Sequence, residues 1–85
     1  MKEFKFTVKD ELGVHARPAG KLVKEAANFE SEITIENKGK TGDAKRIFAV
    51  MGLGVRCGDT VTVRISGTDE EEAEKRILEF LEKNL

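Results

Sequence analysis

The sequence predicts an α+β fold: an open-faced sandwich in which a four-stranded antiparallel sheet is covered on one face by three helices, in the order βαββαβα. Three observations carry this. Residues Phe4 to Val8, Ile33 to Ile35 and Thr60 to Ser66 alternate apolar and polar side chains, the period of two of a strand buried on one face. Two stretches, Ala19 to Phe29 and Ala73 to Leu81, repeat their apolar residues at helical spacing. Asn37-Lys38-Gly39-Lys40 has the composition of a tight hairpin turn, which makes the strands on either side antiparallel neighbours.

Each element can be placed in turn. In the first strand Phe4, Phe6 and Val8 face the core, while Lys5, Thr7 and Lys9 face water. Pro18 then fixes a helix start at about Ala16 or Arg17, because the amide hydrogen that proline lacks has no intrahelical acceptor in a first turn. Along that helix Ala19, Leu22, Val23, Ala26 and Phe29 point inward, and Lys21, Lys24 and Glu25 point away. Ile33 and Ile35 alternate with Glu32, Thr34 and Glu36 in the second strand, and the hairpin leads into a short third one. Asp43 to Leu53 reads as a short helix with Ile47, Val50 and Met51 on one face, Phe48 off that face, and Gly54 as a left-handed C-terminal cap. Val61, Val63 and Ile65 are the inward residues of the last strand, which Gly67 ends. Thr68-Asp69-Glu70-Glu71 has the spacing of a capping box, with Thr68 as the cap of the final helix. Ala73, Ile77, Phe80 and Leu81 form the apolar stripe of that helix, and Glu79 and Lys83 pair on its exposed side.

Composition narrows the function. Eighty-five residues make one small domain, spanning 1–85. A net charge of −1 with both signs interspersed gives no broad electrostatic footprint for nucleic acid. One cysteine and one histidine exclude an intrachain disulfide and a Cys/His zinc set, and Cys57 reads as an inert structural or surface thiol. No apolar run approaches the ~20 residues of a membrane span, so a cytoplasmic protein without membrane insertion is expected. Gly39-Lys40-Thr41 lacks the spaced glycine and the long following helix of a nucleotide-binding loop, so no cofactor is expected.

The chemistry concentrates in Gly13-Val14-His15-Ala16-Arg17-Pro18-Ala19-Gly20, which holds the only histidine and the only proline. Placed between a strand and a helix start, His15 lies where free first-turn amides, the positive end of the helix dipole and the Arg17 guanidinium converge. Such a cradle suits a phosphate-sized anion. A lone histidine is more commonly a capping or surface residue, but small Ala16, Ala19 and Gly20 leave this one open to a partner. A basic residue at a helix N-terminus is unfavourable by about 0.3–1 kcal/mol. A phosphate would offset that cost through two parallel hydrogen bonds to the guanidinium. These residues point to reversible phosphorylation of His15, with the imidazole as nucleophile. They also permit a second reading, a non-covalent regulatory domain that binds an anion through Arg17 and Arg46.

Gly13 to Ala19 resembles the phosphorylation-site motif of the HPr family, the histidine phosphocarriers of the bacterial phosphotransferase system. The resemblance extends through Lys45 to Val55 and Ser66-Gly67 and covers nearly the whole chain. It implies that His15 accepts a phosphoryl group on Nδ1 from phosphorylated Enzyme I, ultimately from phosphoenolpyruvate, and passes it to the IIA domains of sugar permeases. It implies further that Arg17 and Ala16 stabilise the phosphoryl group, that Pro18 fixes the turn, and that the protein is a monomeric carrier rather than an autonomous enzyme. In the family the short helix docks on partners, which assigns Ala16, Gly20, Lys24, Ile47, Phe48 and Met51 to a docking surface, with Lys24 and Arg46 steering acidic partners. A carrier in a nitrogen-related regulatory phosphorelay would share all of this chemistry.

Two departures matter. Family members usually carry a serine at the position of Arg46, and in many Gram-positive bacteria a dedicated kinase phosphorylates it. Arg46 has no hydroxyl, so that control is expected to be absent here. Gly42 and Gly52 stand where bulkier or polar residues are common, which predicts a looser third strand and short helix.

Overall fold

The computed structural model describes residues 1–85 and contains β1 (Lys2–Thr7), α1 (Ala16–Ala26), β2 (Glu32–Asn37), β3 (Lys40–Asp43), α2 (Ile47–Met51), β4 (Thr60–Ser66) and α3 (Glu70–Asn84). The four strands form one antiparallel sheet in the order β1-β4-β2-β3. This is the βαββαβα sandwich that the residue pattern predicts. The register sets Phe4 opposite Val63 and Val63 opposite Ile35, so the inward residues of three strands lie in one row. Ile33, Ile35, Val61, Val63 and Ile65 are buried beneath Ala19, Leu22 and Ala26 of α1 and Ala73, Ile77 and Leu81 of α3. On the opposite, open face Arg64 donates to Glu3 at 2.9 Å and to Glu36 at 2.5 Å, which ties three strands together with charge. The hairpin turn is Lys38-Gly39, both with positive φ (52° and 85°), as a two-residue connection between twisted strands requires.

Local chemistry shifts several boundaries from the sequence reading. The short helix does not begin at Asp43. That residue ends β3, and its carboxylate accepts the Lys45 amide at 2.9 Å, a side-chain turn that delays the helix to Ile47. Gly52 closes α2 in a right-handed conformation, and the left-handed residue is Gly54 (φ 62°), two positions later. Phe29 lies beyond the end of α1 but still packs on the core. Gly42 does not loosen β3: a Cβ there would stand 2.9 Å from the Ala49 carbonyl oxygen, so the missing side chain lets α2 lie directly on the strand.

The start of α3 differs most. Thr68 is not the cap. Asp69 occupies that position and makes no capping bond with its side chain. Its carboxylate reaches across to the α1–β2 loop, where it accepts the amides of Glu30 and Ser31 at 2.9 Å each and the Ser31 hydroxyl at 2.5 Å. The reciprocal half of a capping box survives one residue earlier, with the Glu70 carboxylate accepting the Gly67 amide at 3.0 Å. These bonds hold the carboxyls of Asp69 and Glu70 below their ordinary values, Asp69 chiefly through the Ser31 hydroxyl and Glu70 chiefly through the N-terminal ammonium.

Candidate functional site

The loop from β1 to α1 is folded by its own polar groups. The Asp10 side chain accepts the Leu12 amide and the Asp10 carbonyl accepts the Gly13 amide, both at 2.9 Å. Gly13 then runs at φ +68° against the segment before β4: an ideal Cβ there would lie 2.4 Å from the Val55 carbonyl oxygen. The next amide, Val14, donates to that same carbonyl at 3.0 Å. This backbone clamp delivers His15 to the N-cap position of α1 in an extended conformation.

His15 is half-buried, and its carbonyl accepts the Ala19 amide at 3.0 Å, which closes the first turn. The imidazole makes no capping bond. The Ala16 and Arg17 amides have no acceptor, and Pro18, buried one residue further on, has no amide hydrogen to satisfy. Arg17 is exposed and pairs with no carboxylate, and the first turn of α1 contains no acidic residue. Histidine, cation and free amides thus lie at one helix end, an arrangement chemically suited to holding a phosphoryl group. Beside it lies an open recess of about 250 Å³ lined by Asp10, Leu12, His15, Arg17, Pro18, Lys21 and Asn84. A larger groove along β3, lined by Glu32, Thr34, Thr41 and Asp43, contains none of these groups.

The residues assigned to docking are brought together in part. α2 packs on α1 where Ile47 approaches Gly20, with 3.7 Å from its Cδ1 to an ideal Cβ on the glycine. Ile47 is half-buried against the core, whereas Phe48 is 85% and Met51 38% exposed. Ala16, Lys24 and Arg46 are also exposed, and neither basic residue has a carboxylate partner. The helical period did expose Phe48. Sequence reasoning missed Leu12, which is 74% exposed and lines the same recess as His15. Its signal was an apolar side chain between Asp10-Glu11 and Gly13, in a loop where no strand or helix pattern would bury it. Cys57 is exposed, as expected of a surface thiol, with only a long contact of 3.6 Å to the Lys9 carbonyl.

An antiparallel open-faced sandwich with a histidine at the N-cap of its first helix defines a class of small phosphoryl carriers. Residues 2–83 match the family model described as the PTS HPr component phosphorylation site. The chain is 45% identical to phosphocarrier protein HPr of Mycoplasma genitalium over 85 residues, covering 99% of this chain and 97% of that one. A Mycoplasma histidine-containing phosphocarrier protein superposes with a TM-score of 0.94 at 35% identity, over 96% of this chain and 93% of the other. HPr of Thermoanaerobacter tengcongensis, 41% identical, superposes with a TM-score of 0.93 over 98% of this chain and 93% of that one. A dimer of the same protein gives 0.78 over 98% and 95%. The chain belongs to the HPr family of phosphocarriers of the phosphotransferase system. No helix is long and apolar enough to cross a membrane.

Proposed function

We propose that His15 accepts a phosphoryl group from phospho-Enzyme I and passes it to IIA-type proteins of sugar permeases, in the cytoplasm and as a monomer. The observation that carries this reading is the unbonded, half-buried imidazole at the N-cap of α1, beside an unpaired Arg17 and two free amides. A ring nitrogen of His15, Nδ1 by family resemblance, attacks the phosphorus of the donor's phosphohistidine. The donor P–N bond breaks as the new one forms, and the donor imidazole leaves with the electron pair. Arg17 and the Ala16 and Arg17 amides neutralise the equatorial oxygens, while Pro18 and the Gly13 clamp hold the ring in line. Metaphosphate-like transfer needs positioning and charge more than it needs a catalytic base. Arg46 supplies a permanent positive charge at the start of α2 and no hydroxyl, so regulation by phosphoserine at that position is absent from this reading.

The test is a reconstituted relay. With phosphoenolpyruvate, a general Enzyme I and a IIA domain, label should pass through this chain to the IIA domain; a chain that accepts label but never releases it to any IIA domain contradicts the sugar-permease half. Docking has its own test in Phe48→Ala. Because the ring is 85% exposed, the thermal midpoint should stay near that of the parent protein. The KM of Enzyme I for the carrier should rise about 5- to 30-fold, since a truncated interface anchor loses roughly 1–2 kcal/mol.

A further inference from the structure

Three of the four large exposed hydrophobic side chains, Leu12, Phe48 and Met51, flank α1. Phe48 and Met51 stand on α2, which packs against the side of α1 that carries Gly20. Leu12 stands on the other side, where Pro18 and Lys21 line the recess next to His15. Its exposure of 74% means that Leu12 contributes little to the core, yet its backbone is fixed by the Asp10 turn and by the contact of Gly13 with Val55. An apolar side chain on a fixed backbone is partly pre-organised for contact, because binding need not order the loop that carries it.

The rest of the recess says what that contact requires. Arg17 and Lys21 line it, and neither has a carboxylate partner. Asp10, the one acidic lining residue, directs a carboxylate oxygen to the Leu12 amide. We infer that Leu12 is a second docking anchor, on the side of His15 away from α2. The phosphoryl donor covers the recess with an apolar side chain against Leu12 and carboxylates against Arg17 and Lys21. This rests on the carrier reading, and it adds a contact that sets which donor is accepted.

Steady-state phosphorylation by phosphoenolpyruvate and Enzyme I, with carrier concentration varied, tests it. Leu12→Ser should raise KM about five- to twentyfold with kcat within about twofold, the pattern of lost docking without lost chemistry. Leu12→Met should restore KM to near the parent value, and Lys21→Gln should raise KM while weakening its dependence on salt. A KM for Leu12→Ser within twofold of the parent overturns the inference. So does a Leu12→Met variant as impaired as Leu12→Ser, which would trace the defect to loop geometry. If the parent protein itself takes no phosphoryl group from an active Enzyme I, the carrier reading fails, and this one falls with it for that separate reason.

Discussion

Gly13→Ala is expected to destabilise the chain by about 2–5 kcal/mol and to slow phosphoryl acceptance at least tenfold in the fraction that remains folded. Two effects add. Alanine in a left-handed conformation costs about 1–2 kcal/mol, and forced overpacking costs about 1–3 kcal/mol more. The first applies because φ is +68°, and the second because the new Cβ would sit 2.4 Å from the Val55 oxygen and 2.8 Å from the Arg56 Cα. Neither is the end of a flexible side chain, so relief requires the β1–α1 loop to move away from Val55. That movement breaks the bond from the Val14 amide to Val55 and displaces His15, two residues on. Transfer between phosphohistidines depends on in-line placement, so a displaced ring loses rate as well as stability. Gly39→Ala is the control. Its φ is +85° but nothing lies within 4 Å, so it should show the backbone cost alone and leave acceptance intact. Urea unfolding and single-turnover phosphorylation of both variants make the comparison. A Gly13→Ala protein as stable and as fast as Gly39→Ala would show that the clamp does not position His15.

The second large effect is expected at Asp69→Ala. The carboxylate joins the α1–β2 loop to the start of α3, and Ser31, only 1% exposed, has its amide and hydroxyl bonded to it. Each buried donor left without an acceptor costs about 1–3 kcal/mol. Ser31 loses two, so the thermal midpoint should fall by at least roughly 8 °C. The pH dependence follows from the sign of the shift. Asp69 in the folded chain titrates below its ordinary value of 3.8, mainly because the Ser31 hydroxyl and the Glu30 amide favour the ionised form. A lowered folded pKa gives stability that is fully present above the unfolded value and is lost as pH falls through the folded one. Glu70 and Asp59 are shifted the same way, Glu70 chiefly by the N-terminal ammonium and Asp59 chiefly by the Arg56 amide, so acid should destabilise the parent protein below about pH 4. Asp69→Ala should be less stable at neutral pH and should lose less on acidification. A variant whose stability falls in parallel with the parent over that range would show that Asp69 is not a source of the acid sensitivity.

Phosphoryl acceptance at His15 should be insensitive to this clasp. The Ser31–Asp69 contact joins the two loops beyond the C-terminal end of α1, whereas the site lies at its N-terminal end. Asp69→Ala is therefore expected to accept phosphoryl groups normally at temperatures where it remains folded.

β1, β2 and β4 were legible because each turns alternate residues inward, and strict alternation in Thr60 to Ser66 has no helical reading. Lys38-Gly39 was legible because a two-residue hairpin needs positive φ, which few residues adopt. The place of the candidate site in the fold was legible for a related reason: Pro18 marks a helix start, and a histidine and an arginine just before it are placed by the backbone alone. Part of what escaped depends on contacts between residues distant in the chain. Thr68 has the spacing of a local cap, but Asp69 takes that position and its carboxylate serves Ser31, 38 residues away. Asp43 was read into a helix because the periodicity around Ile47 and Val50 extends to it, and only its turn to the Lys45 amide ends the strand there. Gly42 reads as permissive in the sequence, but α2 lies on it, and Leu12 gives no periodic signal because a single apolar residue in a loop has no period.

Whether His15 is the phosphoryl acceptor is decided by intact mass after incubation with phosphoenolpyruvate and a general Enzyme I proven active on another carrier. The expected result is the mass of a single added phosphoryl group, lost on mild acid treatment, mapped to the peptide containing His15 and absent from His15→Ala. A folded parent protein that gains no mass, or a label that survives in His15→Ala, would contradict it.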